Sequence, residues 1–112
     1  MRDIKIGEKT YKLHYGQNSI CAFEDELNEG ISEIYARFNK SIIRYKDVRA
    51  LIWAGLLKEQ RSITPDDVGN LCDEAGINLV SLLPECIEEL DSSFHSIIQS
   101  EEKQSEVDIK KK

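Results

Sequence analysis

Residues 45 to 58, YKDVRALIWAGLLK, constrain the fold of this chain more than any other stretch. At helical spacing Val48, Leu51, Ile52, Gly55 and Leu56 form one apolar stripe, while Ala50, Trp53 and Leu57 project from the opposite side. A helix that is apolar all round needs protein on more than one face, so the rest of the chain has to wrap it. Two placements of the second face follow. In one, Trp53 lies in the same core and the helix is the centre of a bundle. In the other, Ala50, Trp53 and Leu57 form an exposed docking surface for a partner. Gly55 costs a helix interior about 1 kcal/mol relative to alanine, which marks a close approach of another backbone.

The remaining periodicity supplies the wrapping elements. DIKIGEKTYKLHY alternates apolar and polar residues around GEKT, the pattern of a β-hairpin. From Asn18 onward the period is helical. Asn18 or Ser19 caps a first helix facing inward with Ile20, Phe23 and Leu27, and the glycine of NEG at 28 to 30 ends it. Ile31, Ile34, Tyr35 and Phe38 define a second helix. In ITPDDVGNLCDEAG, residues 63 to 76, the carboxylates lack the alternate spacing and closing glutamate of a calcium loop. They fit a helix instead, with Thr64 as N-cap, Pro65 in the first turn, Asp66 and Asp67 against the positive end of the dipole, and Gly76 as the left-handed stop. Val68, Leu71, Cys72 and Ala75 face inward. A fifth helix, starting near Asn78 with Pro84 in its first turn, carries Val80, Leu83, Ile87, Leu90, Phe94 and Ile97 as one stripe. The expected fold is therefore mainly α, a short N-terminal β-hairpin followed by a compact bundle of about five helices. Residues 1–100 form a single domain, and the charged segment 101–112 reads as a disordered tail.

Composition narrows the chemistry. The net charge of −6 lies on residues 1 to 100, because the last twelve carry four acids and four bases. Nucleic-acid binding calls for a basic surface, and the only basic clusters are ARFNKSIIRYKDVR and the terminal IKKK. Cys21, Cys72 and Cys86 are widely spaced, with no C-x-x-C and no paired histidines, so each reads as a small buried hydrophobe in a reduced intracellular chain. The start MRDIKI has no apolar leader, and LIWAGLL is too short to span a bilayer. Asp25, Glu29 and Glu33 share a solvated helical face. His95 among Ser92, Ser93 and Ser96 lacks a nucleophile elbow, and His14 sits in a strand. With no P-loop and no G-x-G-x-x-G, the expectation is a non-enzyme with no catalytic residues, metal or cofactor.

Three stretches, LHYGQNSICAFEDELNEGI, YKDVRALIWAGLLKE and ITPDDVGNLCDEAGINLVSLL, resemble the phage tail assembly chaperones with gene-transfer-agent-like relatives. Glu24, Leu51, Gly55, Leu56, Thr64, Val68 and Gly69 occupy the family's positions over about residues 4 to 98. The resemblance implies a non-enzymatic protein of phage or prophage origin that binds the tape measure protein and assists tail tube assembly. It implies a place in the cytoplasm of the bacterial host and absence from the mature virion. The tail tube protein is a further expected partner and self-association a further expected property, with no nucleic acid and no membrane. Some relatives carry tail-tube names, although a tube subunit should be mostly strand. The alternative is a small intracellular helical adaptor or regulator unrelated to phage.

Overall fold

The computed structural model of the chain describes residues 1–93. The expected inward packing of Phe94 and Ile97, residue His95 and the tail at 101–112 lie outside them. Strands β1 (Arg2–Ile6) and β2 (Lys9–Leu13) precede α1 (Gln17–Leu27), α2 (Ile31–Asn39), α3 (Tyr45–Leu56) and α4 (Pro65–Ala75). A 3-10 turn over Leu79–Leu82 then leads into α5, helical over residues 83–93. The fold is mainly α, a hairpin followed by helices, as the periodicity predicts.

β1 and β2 pair antiparallel, with Ile4 opposite Tyr11. Alternation sends Ile4, Ile6 and Leu13 into the core and leaves Lys5, Lys9 and Lys12 exposed. Gly7 turns the chain at φ 67, and a Cβ on it would lie 3.0 Å from the Ala75 Cβ, so the hairpin tip rests on α4.

α3 is the centre of the bundle. It packs against α1, α4, β2 and the 3-10 turn, and Val48, Ala50, Leu51, Ile52, Ala54, Gly55 and Leu56 are all buried. Burial on both faces is what a helix without a polar stripe requires. The close approach expected at Gly55 comes from β2 and the residues after it. The His14 N–H donates to the Gly55 carbonyl at 2.8 Å, and the Tyr15 hydroxyl donates to the Leu51 carbonyl at 2.7 Å.

α4 is built as its sequence demands. Thr64 Oγ1 accepts from the Asp67 N–H at 3.1 Å, Asp67 accepts from the Thr64 N–H at 2.9 Å, and Gly76 ends the helix at φ 69.

Several expectations need correction. α1 starts earlier than predicted, with Gly16 as N-cap and not Asn18 or Ser19. Ser19 is buried inside the first turn, and its hydroxyl donates to the His14 carbonyl at 3.0 Å. The left-handed stop of α1 is Asn28 at φ 54, not Gly30, which caps the start of α2 at φ −73. Asparagine is among the few residues that adopt the left-handed region readily, which frees the glycine for the next helix. Cys21 is exposed, unlike Cys72 and Cys86; burial pushes the Cys86 thiol up to about 12. Asn78 caps a 3-10 turn, accepting from the Val80 N–H at 2.9 Å, before the α-helix begins. Leu83, Ile87 and Leu90 turn to the core as the periodicity predicts, with Leu82 and Cys86 buried beside them, but Val80, inside the tighter 3-10 turn, is exposed.

An ionic cluster built on the buried Asp47 ties the connection after α1 to α2 and to the start of α3. Asp47, in the first turn of α3, has no exposed surface. Arg37 donates to its two oxygens at 2.9 and 3.1 Å, Arg44 Nη2 donates at 2.8 Å, and the Arg44 N–H donates at 2.7 Å. Arg37 also grips Glu29 through Nε at 2.8 Å and Nη2 at 2.7 Å. Glu29 was expected on the solvated face with Asp25 and Glu33. It is instead partly buried, drawn in by this fork-to-fork contact. Burial alone would raise the Asp47 pKa, but the hydrogen bonds from Arg37 and Arg44 more than offset it and hold the carboxyl well below its usual range.

Two outcomes are expected. Gly55→Ala should destabilise the domain although alanine is the better helix former. Its Cβ would stand 2.6 Å from Leu13 Cδ2 and 2.7 Å from the Tyr15 ring, and overpacking of that kind costs about 1–3 kcal/mol. Urea titration followed by circular dichroism measures it; equal or greater stability would mean that β2 is not seated on α3 as described. Asp47→Asn should cost about 3 kcal/mol at neutral pH, because it leaves arginines facing a neutral group. Since the folded carboxyl pKa is depressed, its contribution is fully present above about pH 5 and is lost as pH falls through the unfolded and then the folded pKa. The wild type should therefore lose stability below about pH 5 more steeply than Asp47→Asn, and parallel acid limbs would contradict it.

Candidate functional site

Among the described residues the large exposed apolar side chains are unevenly placed. Ile42 is 52% exposed, Ile43 37% and Tyr45 62%, so three of the five lie within four consecutive positions at the corner between α2 and α3. The corner is firmly held. Ser41 takes a left-handed φ of 62, its N–H donates to the Phe38 carbonyl, and the Ile42 N–H donates to the Arg37 carbonyl, both at 2.9 Å. Arg37 Nη1 closes the turn on the Ile42 carbonyl at 3.0 Å. A serine at positive φ is uncommon and costs free energy, which the surrounding hydrogen bonds offset.

Next to the corner, a groove of about 710 Å³ runs between α3 and α4, lined by Tyr45, Lys46, Arg49, Cys72, Ile77 and Leu79 among others. The Tyr45 hydroxyl accepts from Asn78 Nδ2 at 2.7 Å, bridging one end of it. The Arg49 stem passes 3.8 Å from where a Gly69 Cβ would lie, and its guanidinium reaches the exposed Asp66 at 3.4 Å. This groove suits a side chain or a helix edge better than a reaction. The nearest thiol, Cys72, is buried, and burial raises its pKa.

The predicted partner-binding residues are not brought together on one open surface. Ala50 is 1% exposed. Trp53 is partly buried against the core, and its indole N–H donates to the Ile63 carbonyl at 2.8 Å. Leu57, at the end of α3, is half-buried and lines a depression of about 620 Å³ with His14, Lys58 and Arg61 beside the start of α1. Burial, aided by Lys58, lowers the His14 pKa. The Ile42, Ile43 and Tyr45 cluster was not singled out by sequence reasoning, although the basic segment that holds it was. Its signal was there: two adjacent isoleucines in a loop have no helical stripe to join.

The residues carrying the family resemblance have structural work. Leu51, Leu56 and Val68 are buried, and Thr64 caps α4. Glu24 accepts from the Ile31 N–H at 2.7 Å, holding the first turn of α2. No helix among the described residues is long and apolar enough to cross a membrane, and no cluster of metal-ligating side chains forms among them.

The placement of Trp53 carries a prediction. Trp53→Ala should destabilise the domain by about 3 kcal/mol, the low end for an aromatic truncation, since the ring is only partly buried. Trp53→Phe should cost about 1 kcal/mol for the lost indole hydrogen bond. Both are read from denaturant unfolding by circular dichroism; a neutral Trp53→Ala would leave the side chain free for another role.

Neither the curated proteins nor the solved structures include one that matches this chain. A family model described as phage tail tube protein, GTA-gp10, matches residues 2–95, which takes in both strands and the helices described above. That match sets aside an adaptor unrelated to phage. The chain belongs to this family of phage tail proteins.

Proposed function

We propose that the chain is a tail assembly chaperone, which binds the tape measure protein and keeps it soluble until tube subunits polymerise around it. The observation that carries this reading is the fold. Among the described residues the sheet is one hairpin of two five-residue strands, and the rest is a helical bundle. A tube wall closed by strand pairing between subunits needs more and longer strands than these. A helical domain with an apolar corner and an adjoining groove is suited to covering helices of a partner. On this reading the protein acts in the cytoplasm of the bacterial host and leaves before the particle is complete. It performs no chemistry of its own.

The second reading, a component of the tail tube itself, is favoured by the description of the family as tail tube proteins. The two differ in where the protein ends up. Co-expression with the tape measure protein of the same phage should give a soluble complex, and mass spectrometry of purified virions should find the tube and the tape measure but not this chain. Recovery of the chain as a major virion component would refute the chaperone reading.

A further inference from the structure

We infer that the corner between α2 and α3 is the docking surface, and that its occupant is an amphipathic helix of the partner with an acidic flank. The inference rests on the proposed function for the partner's identity, but the surface and the chemistry come from the corner itself. Ile42, Ile43 and Tyr45 supply an apolar centre. Around it the charge is opposite to that of the molecule. Residues 37 to 49 hold five bases and one acid in a chain of net charge −6. Arg37, Arg44 and Asp47 are spent in the buried cluster with Glu29. Lys40 and Lys46 are exposed and unpaired among the described residues, and Arg49 has only a 3.4 Å contact with an exposed Asp66. The rim is thus cationic and available.

Those two features select the occupant. A second copy of the chain meeting the corner with its own corner would bring isoleucines onto isoleucines, but also lysines onto lysines. The acidic depression lined by Glu24, Asp25, Glu29 and Glu33 offers the complementary charge. None of the large exposed apolar residues belongs to it, so it would leave Ile42 and Ile43 uncovered. Nucleic acid would satisfy the lysines and leave the isoleucines in water. A helix with an apolar stripe bordered by aspartate or glutamate satisfies both, its stripe on Ile42, Ile43 and Tyr45 and its acids toward Lys40, Lys46 and Arg49. The corner needs little ordering on binding, because the hydrogen bonds around Ser41 already fix it.

The test uses the full chain, tagged and co-expressed with the full-length tape measure protein. Ile42→Ser/Ile43→Ser should keep the wild-type melting temperature, since both side chains are exposed, and weaken the complex at least about tenfold. Lys40→Gln/Lys46→Gln should weaken it too and reduce its sensitivity to added salt, and Lys40→Glu/Lys46→Glu should weaken it further, with binding that improves as salt screens the repulsion. Lys58→Glu/Arg61→Glu, after α3 and lining the depression beside the start of α1, should bind as wild type. If the wild type captures the tape measure protein and the isoleucine variant captures it equally well, the docking surface is wrong while the chaperone reading stands. If the wild type captures none, both fall. A wild-type oligomer in sedimentation that the isoleucine variant dissolves would assign the corner to a second copy and overturn the inference. So would binding of random-sequence duplex DNA that the lysine variants lose and the isoleucine variant retains.

Discussion

A carboxylate with no exposed surface sets the conditions for half of this molecule. Asp47 cannot stay ionised inside the bundle without cations and N–H donors arranged around it. It therefore fixes where Arg37 must stand on α2 and where Arg44 must stand before α3. Arg37 in turn fixes Glu29 at the end of α1 and the Ile42 carbonyl in the connecting turn. The connection after α1, the last turn of α2, the loop that follows it and the start of α3 are thus tied to one side chain. The apolar packing of α3 explains why the bundle is stable; the ionic cluster ties α2 to its edge.

The parts of the fold that were legible in the sequence are those in which a local rule and the tertiary contact agree. Thr64, Pro65, Asp67 and Gly76 form a helix start and stop that need no neighbours. The double-sided burial of α3 follows from its lack of a polar face, and Gly55 announced the strand that lies on it. Legibility failed where one residue type can do two jobs. Asn28 and Gly30 are both able to end a helix, and only the start of α2 decides which one does. Glu29 looks like a surface charge in one dimension, because Arg37, which draws it inward, lies eight positions away on the next helix and ten positions from Asp47, the acid it also binds. The 3-10 turn after Asn78 sends Val80 outward, which a 3.6-residue period run back from Leu83, Ile87 and Leu90 cannot anticipate.

The candidate site was harder to read than the fold, for a physical reason. Trp53, the most conspicuous apolar residue, invites assignment to a partner, yet a ring that can donate its N–H to Ile63 has a use inside the domain. Ile42 and Ile43 look like ordinary loop residues until the structure shows that Arg37 and Ser41 hold them outward. Membership of a phage tail family and a helical architecture agree with a protein whose business is to hold another protein. The division of labour is spatial: charges that stabilise the fold face inward at Asp47, and charges free for a partner sit on the rim.

The way β1 closes the structure bears on the order in which the chain is assembled. Ile4 and Ile6 are buried, Gly7 presses on Ala75, and Arg2 pairs with Glu88 at 2.7 Å. Strand β1 thus has its surface supplied by residues of α4 and α5, which are synthesised after it, and such long-range pairings form late. The cluster of Glu29, Arg37, Arg44 and Asp47 spans fewer than twenty positions, and among the described residues its ion pairs are made within that span. Synthesis therefore delivers every component of the α2–α3 corner while the hairpin is still waiting for its cover. Under the proposed chaperone role, having that corner come first would let the surface meet its partner early.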